Sequence, residues 1–182
     1  MYGRCPDPDL AQVVLDTNIV LDMLVFGDPG TQPLKLALAA RQIQWLATPA
    51  MRDELARVLG YPNIMAQLSL HQVDAERVLL LFDDQAQMAA VAPRANAVCG
   101  DPDDQKFVDL AVAHKARLLS KDRAILCMSG RLQVLGVPVQ ATASTGHRCA
   151  PTSTPGLRMP AGSTTALAAA SIWRNKGGTS IS

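Results

Sequence analysis

The feature that most constrains the fold of this chain is a short apolar run that ends in a carboxylate. Residues 13–15 (VVL) lead into Asp16, and Thr17 and Asn18 separate it from a second apolar run at residues 19–21. A run this short and this rich in aliphatic residues is typical of a buried strand. In an open α/β sheet, the carboxyl end of such a strand borders the ligand crevice. A charge there is costly unless a cation or a hydrogen-bond donor meets it, so Asp16 requires a partner.

Strand and helix patterns alternate along the rest of the chain. The apolar periodicity and turn residues predict strands at 12–16, 43–47, 117–120 and 136–139, and helices at 17–26, 34–40, 49–59, 71–88, 107–114 and 125–128. Turns are expected at 27–30 and 61–63, where Gly, Pro, Asp and Asn cluster. Alternation of this kind predicts an α/β protein with a mainly parallel central sheet.

The composition divides the chain into three parts. A length of 182 residues with 48% hydrophobic residues allows one domain with an appendage. We predict a leader at residues 1–11, a folded domain at 12–140, and a tail at 141–182 that is rich in Ser, Thr, Pro, Gly and Ala and is disordered or poorly ordered. The tail carries four basic residues and no acid, so either it has no function or it adds affinity for nucleic acid.

Charge and cysteine content narrow the class of protein. Without the four basic residues of the tail, 13 basic residues face 16 acids in residues 1–139, a net charge of about −3. A slightly acidic body is unlike a general nucleic-acid clamp and suits a site for divalent cations. The four cysteines form no C-x-x-C pair, which indicates free thiols in a reducing compartment. No run reaches the ~20 apolar residues of a membrane helix, so we expect a cytoplasmic protein without a membrane partner.

Four acids stand out because of their position. Asp16 and Asp122 follow predicted strands, Asp104 precedes a helix, and Glu54 lies in the early turns of the helix after the second strand. In a parallel sheet these positions share one edge, so the carboxylates are expected to converge. Like charges this close must raise a pKa or take up a cation. Oxygen ligands without Cys or His suit Mg²⁺ or Mn²⁺, and two such ions serve phosphodiester hydrolysis.

Each acid also has an ordinary structural interpretation. Asp104 or Asp103 at a helix start complements the helix dipole. Asp122 is a suitable turn residue or N-cap, and Glu54 by itself suits a solvated ion pair with Arg57. The hypothesis of a metal site therefore depends on the joint pattern of the acids.

The motifs that carry these acids resemble the PIN-domain family, and within it the toxin-like branch of bacterial toxin–antitoxin pairs. The matching pieces are VLDTN around Asp16, TPxxxxEL around Glu54, DPDDxxF around Asp104, and ARLLSKD before and including Asp122. They occur in the order of the family and cover residues 12–139.

The resemblance implies a three-layer α/β/α fold with Asp16, Glu54, Asp104 and Asp122 as catalytic metal ligands. Asn18 and Ser120 would be polar supports, and Asp103 competes with Asp104 for its role. Members of the family are typically Mg²⁺- or Mn²⁺-dependent ribonucleases that cut single-stranded RNA. The resemblance also implies a protein antitoxin as partner and a homodimer.

Two other functions share part of this pattern. An aspartyl phosphatase of the haloacid-dehalogenase type also begins with a strand that ends in Asp, but it needs a second Asp two residues later as a general acid. Asn18 stands there and cannot supply a proton in that way. A catalytically silent PIN-like module that binds RNA or protein is the remaining alternative, and retention of all four acids argues against it.

Overall fold

The computed structural model describes residues 10–141. The predicted leader, apart from its last two residues, and the predicted tail, apart from Ala141, lie outside this range.

Five strands form one parallel sheet in the order β3-β2-β1-β4-β5. Their bounds are β1 Ala11–Leu15, β2 Ile43–Ala47, β3 Ala86–Met88, β4 Arg117–Leu119 and β5 Val139–Gln140. The central strand β1 pairs Val13 with Trp45 of β2 on one side and with Arg117 of β4 on the other. The sequence prediction of a mainly parallel sheet is confirmed.

Eight α-helices accompany the strands within residues 10–141. Their bounds are α1 Thr17–Leu21, α2 Gln32–Ala39, α3 Pro49–Leu59, α4 Pro62–Leu70, α5 Ala75–Gln85, α6 Gln105–His114, α7 Arg123–Cys127 and α8 Ser129–Val134. No helix of this part of the chain is long and apolar enough to cross a membrane.

The connections place helices on both faces of the sheet. The chain builds outward from β1 to β2 and β3, then returns to the other side of β1 to form β4 and β5. Because parallel crossovers are right-handed, the helices of the first half cover one face and those of the second half cover the other. The strand order reverses between β1 and β4, which is where open α/β sheets bind their ligands. The predicted three-layer α/β/α architecture is confirmed.

The burial of β1 on both faces explains why residues 13–15 are all apolar. Val13, Val14 and Leu15 are at most 3% exposed, because helices cover both faces of the sheet. On β2, the ring of Trp45 meets Phe82 of α5 edge to face, with centroids 4.8 Å apart. This contact fixes α5 against the sheet.

Several elements differ from the sequence prediction. The helix predicted at 17–26 divides into α1 and a π-helical turn, Asp22–Phe26, which ends at Gly27 with φ of +61°. The turn expected at 61–63 opens α4, and the helix predicted at 71–88 ends at Gln85 and is followed by β3. The last strand begins at Val139, three residues later than predicted.

Candidate active site

Asp16 lies at the carboxyl end of β1, at the point where the strand order reverses. Its backbone N–H donates to the carbonyl of Leu119 at 3.0 Å, so the β1–β4 pairing holds it in place. The residue is 2% exposed. Its Oδ2 accepts a hydrogen bond from Ser120 Oγ at 2.7 Å and a longer one from Asn18 Nδ2 at 3.4 Å. Both residues predicted as polar supports therefore contact Asp16.

Ser120 connects two of the predicted acids. It follows β4 and is fully buried. While its hydroxyl donates to Asp16, the same oxygen accepts a hydrogen bond from the backbone N–H of Asp122 at 2.9 Å. Asp122 is the N-cap of α7, and its Oδ1 accepts from the N–H of Ala124 at 2.7 Å. The N-cap role that the sequence allowed for Asp122 is thus present, and its carboxylate lies beside Asp16.

Glu54 reaches the same region from α3. Its side chain is 6% exposed, so Glu54 is buried and is not the solvated residue that its sequence context also allowed. Its Oε1 accepts a hydrogen bond from Thr17 Oγ1 at 3.3 Å. Its Oε2 forms an ion pair with the ammonium of Lys106, in a contact without hydrogen-bond geometry.

Asp104 closes a short 3₁₀ turn, Pro102–Asp104, directly before α6. Its Oδ2 is buried and has no hydrogen-bond partner. The neighbouring Asp103 is exposed. Of the two acids that the sequence offered for this role, Asp104 is the one whose carboxylate is turned inward.

Burial and repulsion by neighbouring carboxylates both raise the pKa of Asp16. Burial raises the pKa of its carboxyl to about 6, although the hydrogen bond from Ser120 opposes the rise. The negative charges of Asp122 and Glu54 also contribute to this raised pKa.

The pKa of Asp104 is raised more strongly. Burial again contributes most to the rise, the charges of Asp16, Asp122 and Asp101 contribute as well, and the resulting pKa is about 8. Lys106 lowers the pKa but does not offset these contributions. The fold therefore brings Asp16, Asp104 and Asp122 within electrostatic reach of one another, and Glu54 within reach of Asp16.

The acids lie near one another, but their side chains do not form a complete coordination sphere for a metal ion. Within residues 10–141, no three Asp, Glu, His or Cys side chains are close enough to form a ready-made metal site. Hydrogen bonds and one ion pair instead engage four of the eight carboxylate oxygens, which are Asp16 Oδ2, both oxygens of Glu54, and Asp122 Oδ1.

Lys106 is a residue of this region that sequence reasoning missed. It lies in the first turn of α6, two residues after Asp104. Its ammonium contacts Glu54 Oε2 and the backbone carbonyl of Asp103, and it lies 4.7 Å from the centroid of the Phe107 ring. No local sequence pattern indicates this pairing, because Glu54 and Lys106 are 52 positions apart.

Gln105 is a second residue that the sequence did not single out. Its buried side-chain amide accepts from the N–H of Cys99 at 2.7 Å and donates to the carbonyl of Ala97 at 3.0 Å and to Asp109 Oδ1 at 2.7 Å. Asp109 Oδ1 also accepts from the N–H of Ala95 at 2.8 Å. These bonds attach the loop before Asp104 to α6 and so determine where Asp104 lies.

Lys121 stabilises the other side of the site. Burial lowers the pKa of its ammonium, but the contacts with Asp22 and Asp28 outweigh this effect and the pKa is raised. The Nζ–Oδ2 distances are 2.6 Å to Asp22 and 3.0 Å to Asp28. The segment that carries Ser120 and Asp122 is thereby joined to the π-helical turn.

A groove of about 630 Å³ lies away from these acids, between α3, α4 and α5. Its lining is mainly apolar and includes none of the four candidate ligands. This groove is therefore separate from the cluster of carboxylates at the sheet edge.

Known proteins resemble this chain in sequence and in structure. A family model described as PIN domain matches residues 12–124, which is more than half of the chain. The structure is similar to that of VapBC2 from Rickettsia felis bound to a DNA fragment from their promoter, with 13% identity, a TM-score of 0.49, and coverage of 72% of this chain and 98% of that one. No curated protein matches.

PIN domains are generally nucleases, which supports a hydrolase that acts on nucleic acid. The matched residues include all four acids, and Asp122 lies two residues before the end of the match. The acidic switch point lies in the same stretch of chain, together with strands β1 to β4 apart from Ala11, and of the five strands only β5 lies beyond it. The chain belongs to the PIN-domain family.

Proposed function

We propose that this protein is a divalent-metal-dependent endoribonuclease that hydrolyses RNA phosphodiester bonds and acts as the toxin of a toxin–antitoxin pair. One observation carries the proposal. Asp104 is within electrostatic reach of Asp16 and Asp122 at the switch point of a PIN-domain sheet. Buried carboxylates that repel one another are destabilising unless a cation meets them.

The donor atoms suit Mg²⁺ or Mn²⁺. The proposed ligands are the carboxylates of Asp16, Glu54, Asp104 and Asp122, an all-oxygen set of the kind that hard divalent cations prefer. The buried Asp104 Oδ2 has no hydrogen-bond partner, so this lone pair is available to a cation. A bound cation would polarise the phosphodiester and generate a hydroxide nucleophile near neutral pH.

The protein's own residues supply position and charge. Ser120 and Asn18 hold Asp16 Oδ2, Thr17 holds Glu54 Oε1, and the N-terminus of α7 holds Asp122. Three of the four proposed ligands, Asp16, Glu54 and Asp122, are thus held by hydrogen bonds to one carboxylate oxygen each. Phosphoryl chemistry needs little more from a protein than such positioning.

The finer parts of the proposal come from the sequence resemblance. The toxin-like branch of the family acts on single-stranded RNA, is silenced by a protein antitoxin and forms dimers. We extend these three properties, and a cytoplasmic location, to this chain. The net charge of about −3 in residues 1–139 is consistent with a protein that meets a polyanion through bound cations.

The proposal predicts metal-dependent cleavage of a single-stranded RNA oligonucleotide by the purified protein. Cleavage should require Mn²⁺ or Mg²⁺ and stop on addition of EDTA. Asp16→Asn should lower the rate by at least about 100-fold, since an electrostatic contact to the reacting centre is typically worth that much. Gel analysis of an end-labelled RNA gives the rate and the cut sites.

The matched control is Asp53→Asn, which makes the same change at an exposed position on α3, one residue before Glu54. It should cleave like the wild type. If folded wild-type protein with Mn²⁺ cuts no RNA, and Asp16→Asn behaves identically, the chain is instead a silent PIN-like binding module.

A further inference from the structure

The candidate site contains a cation of its own. The ammonium of Lys106 forms an ion pair with Glu54 Oε2, and Glu54 is only 6% exposed. The Lys106 side chain is 25% exposed and lies against the Phe107 ring. A long aliphatic stem of this kind lets the charged end move between a buried partner and water.

This ion pair determines which carboxylate oxygens are free. Thr17 donates to Glu54 Oε1 and Lys106 meets Oε2, so both oxygens of Glu54 are engaged. Asp104 Oδ2, in contrast, is buried without a hydrogen-bond partner. Asp104 therefore has an oxygen available to a cation, whereas both oxygens of Glu54 are already in contact with other groups. This agrees with the lack of a ready-made metal site in the described residues.

We propose that Lys106 is an internal counterion that competes with the divalent cation for Glu54 and must release this carboxylate before the metal site is complete. The inference rests on the proposed metal-dependent function and adds a residue that regulates it. Lys106 stabilises the metal-free protein, because a buried carboxylate that loses its charged partner is strongly destabilising. The same ion pair weakens metal binding, because breaking it is part of the binding reaction.

Two readouts that do not depend on catalysis test this role. Lys106→Met removes the charge and keeps the length of the side chain, and Lys106→Gln keeps a hydrogen-bond donor as a second variant if the first does not fold. Calorimetric titration with MnCl₂ should give a dissociation constant roughly three- to tenfold lower than that of the wild type, the effect of one partly buried ion pair. In EDTA, the melting temperature of both variants should fall, and Mn²⁺ should raise it more than in the wild type.

Lys115→Met is the matched control. It removes the same charge from the other end of α6, about 14 Å along the helix axis from Lys106, at an exposed position. It should bind Mn²⁺ like the wild type, which separates the local ion pair from the change in net charge.

The outcomes distinguish this inference from the function on which it rests. If the wild type binds Mn²⁺ and cleaves RNA, but the Lys106 variants bind Mn²⁺ equally or more weakly, the counterion role is wrong and the nuclease stands. If Lys115→Met tightens binding as much as Lys106→Met, net charge is the cause and the role is also wrong. If the wild type neither binds Mn²⁺ nor cleaves RNA, both proposals fail.

Discussion

Asp16 is a buried carboxylate whose surroundings only partly compensate its charge. Ser120 and Asn18 donate to one of its oxygens, while burial and the neighbouring acids raise its pKa to about 6. Asp104 has no donor to its Oδ2, and its pKa rises to about 8. In the absence of a cation, the folded state therefore favours protonated carboxyls at these two positions.

The raised pKa values of Asp16 and Asp104 predict how the stability of the metal-free protein depends on pH. A carboxyl whose pKa is raised by folding binds protons more tightly in the folded than in the unfolded state. Its contribution to the free energy of unfolding is therefore fully present below about pH 4 and is lost as the pH rises. The loss should extend through about pH 6 for Asp16 and about pH 8 for Asp104. Asp16→Asn should leave stability near pH 4 little changed and raise it at pH 8 by up to about 3 kcal/mol, the equivalent of two pKa units.

Urea denaturation in EDTA at pH 4, 6 and 8 measures this effect. Asp53→Asn, at an exposed site, should follow the wild-type curve. Two results would show that burial does not destabilise the charged form of Asp16. One is a free energy of unfolding that rises between pH 4 and pH 8 in the wild type, and the other is the same pH dependence in Asp16→Asn as in the wild type.

Single residues were predictable where a local pattern marked them. Asp16 follows an apolar strand, Ser120 and Asp122 follow another, and the structure places all three at one sheet edge. Lys106 was not predictable, because its partner Glu54 lies on a helix distant in sequence and a charged residue in a first helical turn is ordinarily solvated.

At the scale of elements, the site is held by the junction of β1, β4 and α6. The loop of residues 89–101 leads from the far edge of the sheet to the 3₁₀ turn that carries Asp104. Gln105 and Asp109, one helical turn apart on α6, satisfy the backbone groups of Ala95, Ala97 and Cys99. The loop has little regular structure, so these side chains provide its anchors.

Gln105→Met should release this loop. The change keeps the size of the side chain but leaves the N–H of Cys99 and the carbonyl of Ala97 without their partner, at a cost of about 1–3 kcal/mol. Hydrogen exchange at residues 97–99 should accelerate. Gln133→Met makes the same change at an exposed site on α8 and should alter neither stability nor exchange. Unchanged protection of Cys99 in Gln105→Met would contradict the anchoring role.

The predictability of the elements followed the strength of their patterns. The strands β1 and β2 are rich in apolar residues and were located within one residue. The strand β3 was missed because its three residues, Ala86, Gln87 and Met88, include no β-branched or aromatic side chain, and its pairing with β2 decides its conformation. The helix α4 was missed because Pro62 suggested a turn, whereas proline also suits the first position of a helix.

At the scale of the whole described domain, the topology gathers residues that are far apart in sequence. The strand order reverses between β1 and β4, so Asp16 and Asp122 meet although about a hundred residues separate them. The helix α3 brings Glu54 to this edge, and the 3₁₀ turn before α6 brings Asp104 there. The central claim is that these four acids together form one divalent-cation site.

The most direct test of that claim compares two neighbouring residues. Mn²⁺ binding, measured by calorimetric titration, should be lost or weakened at least about tenfold in Asp104→Asn, because a carboxylate whose free oxygen faces the site is removed. Asp103→Asn makes the same change in charge one residue earlier, at an exposed position, and should bind Mn²⁺ like the wild type. Equal Mn²⁺ affinity in the two variants would contradict the account.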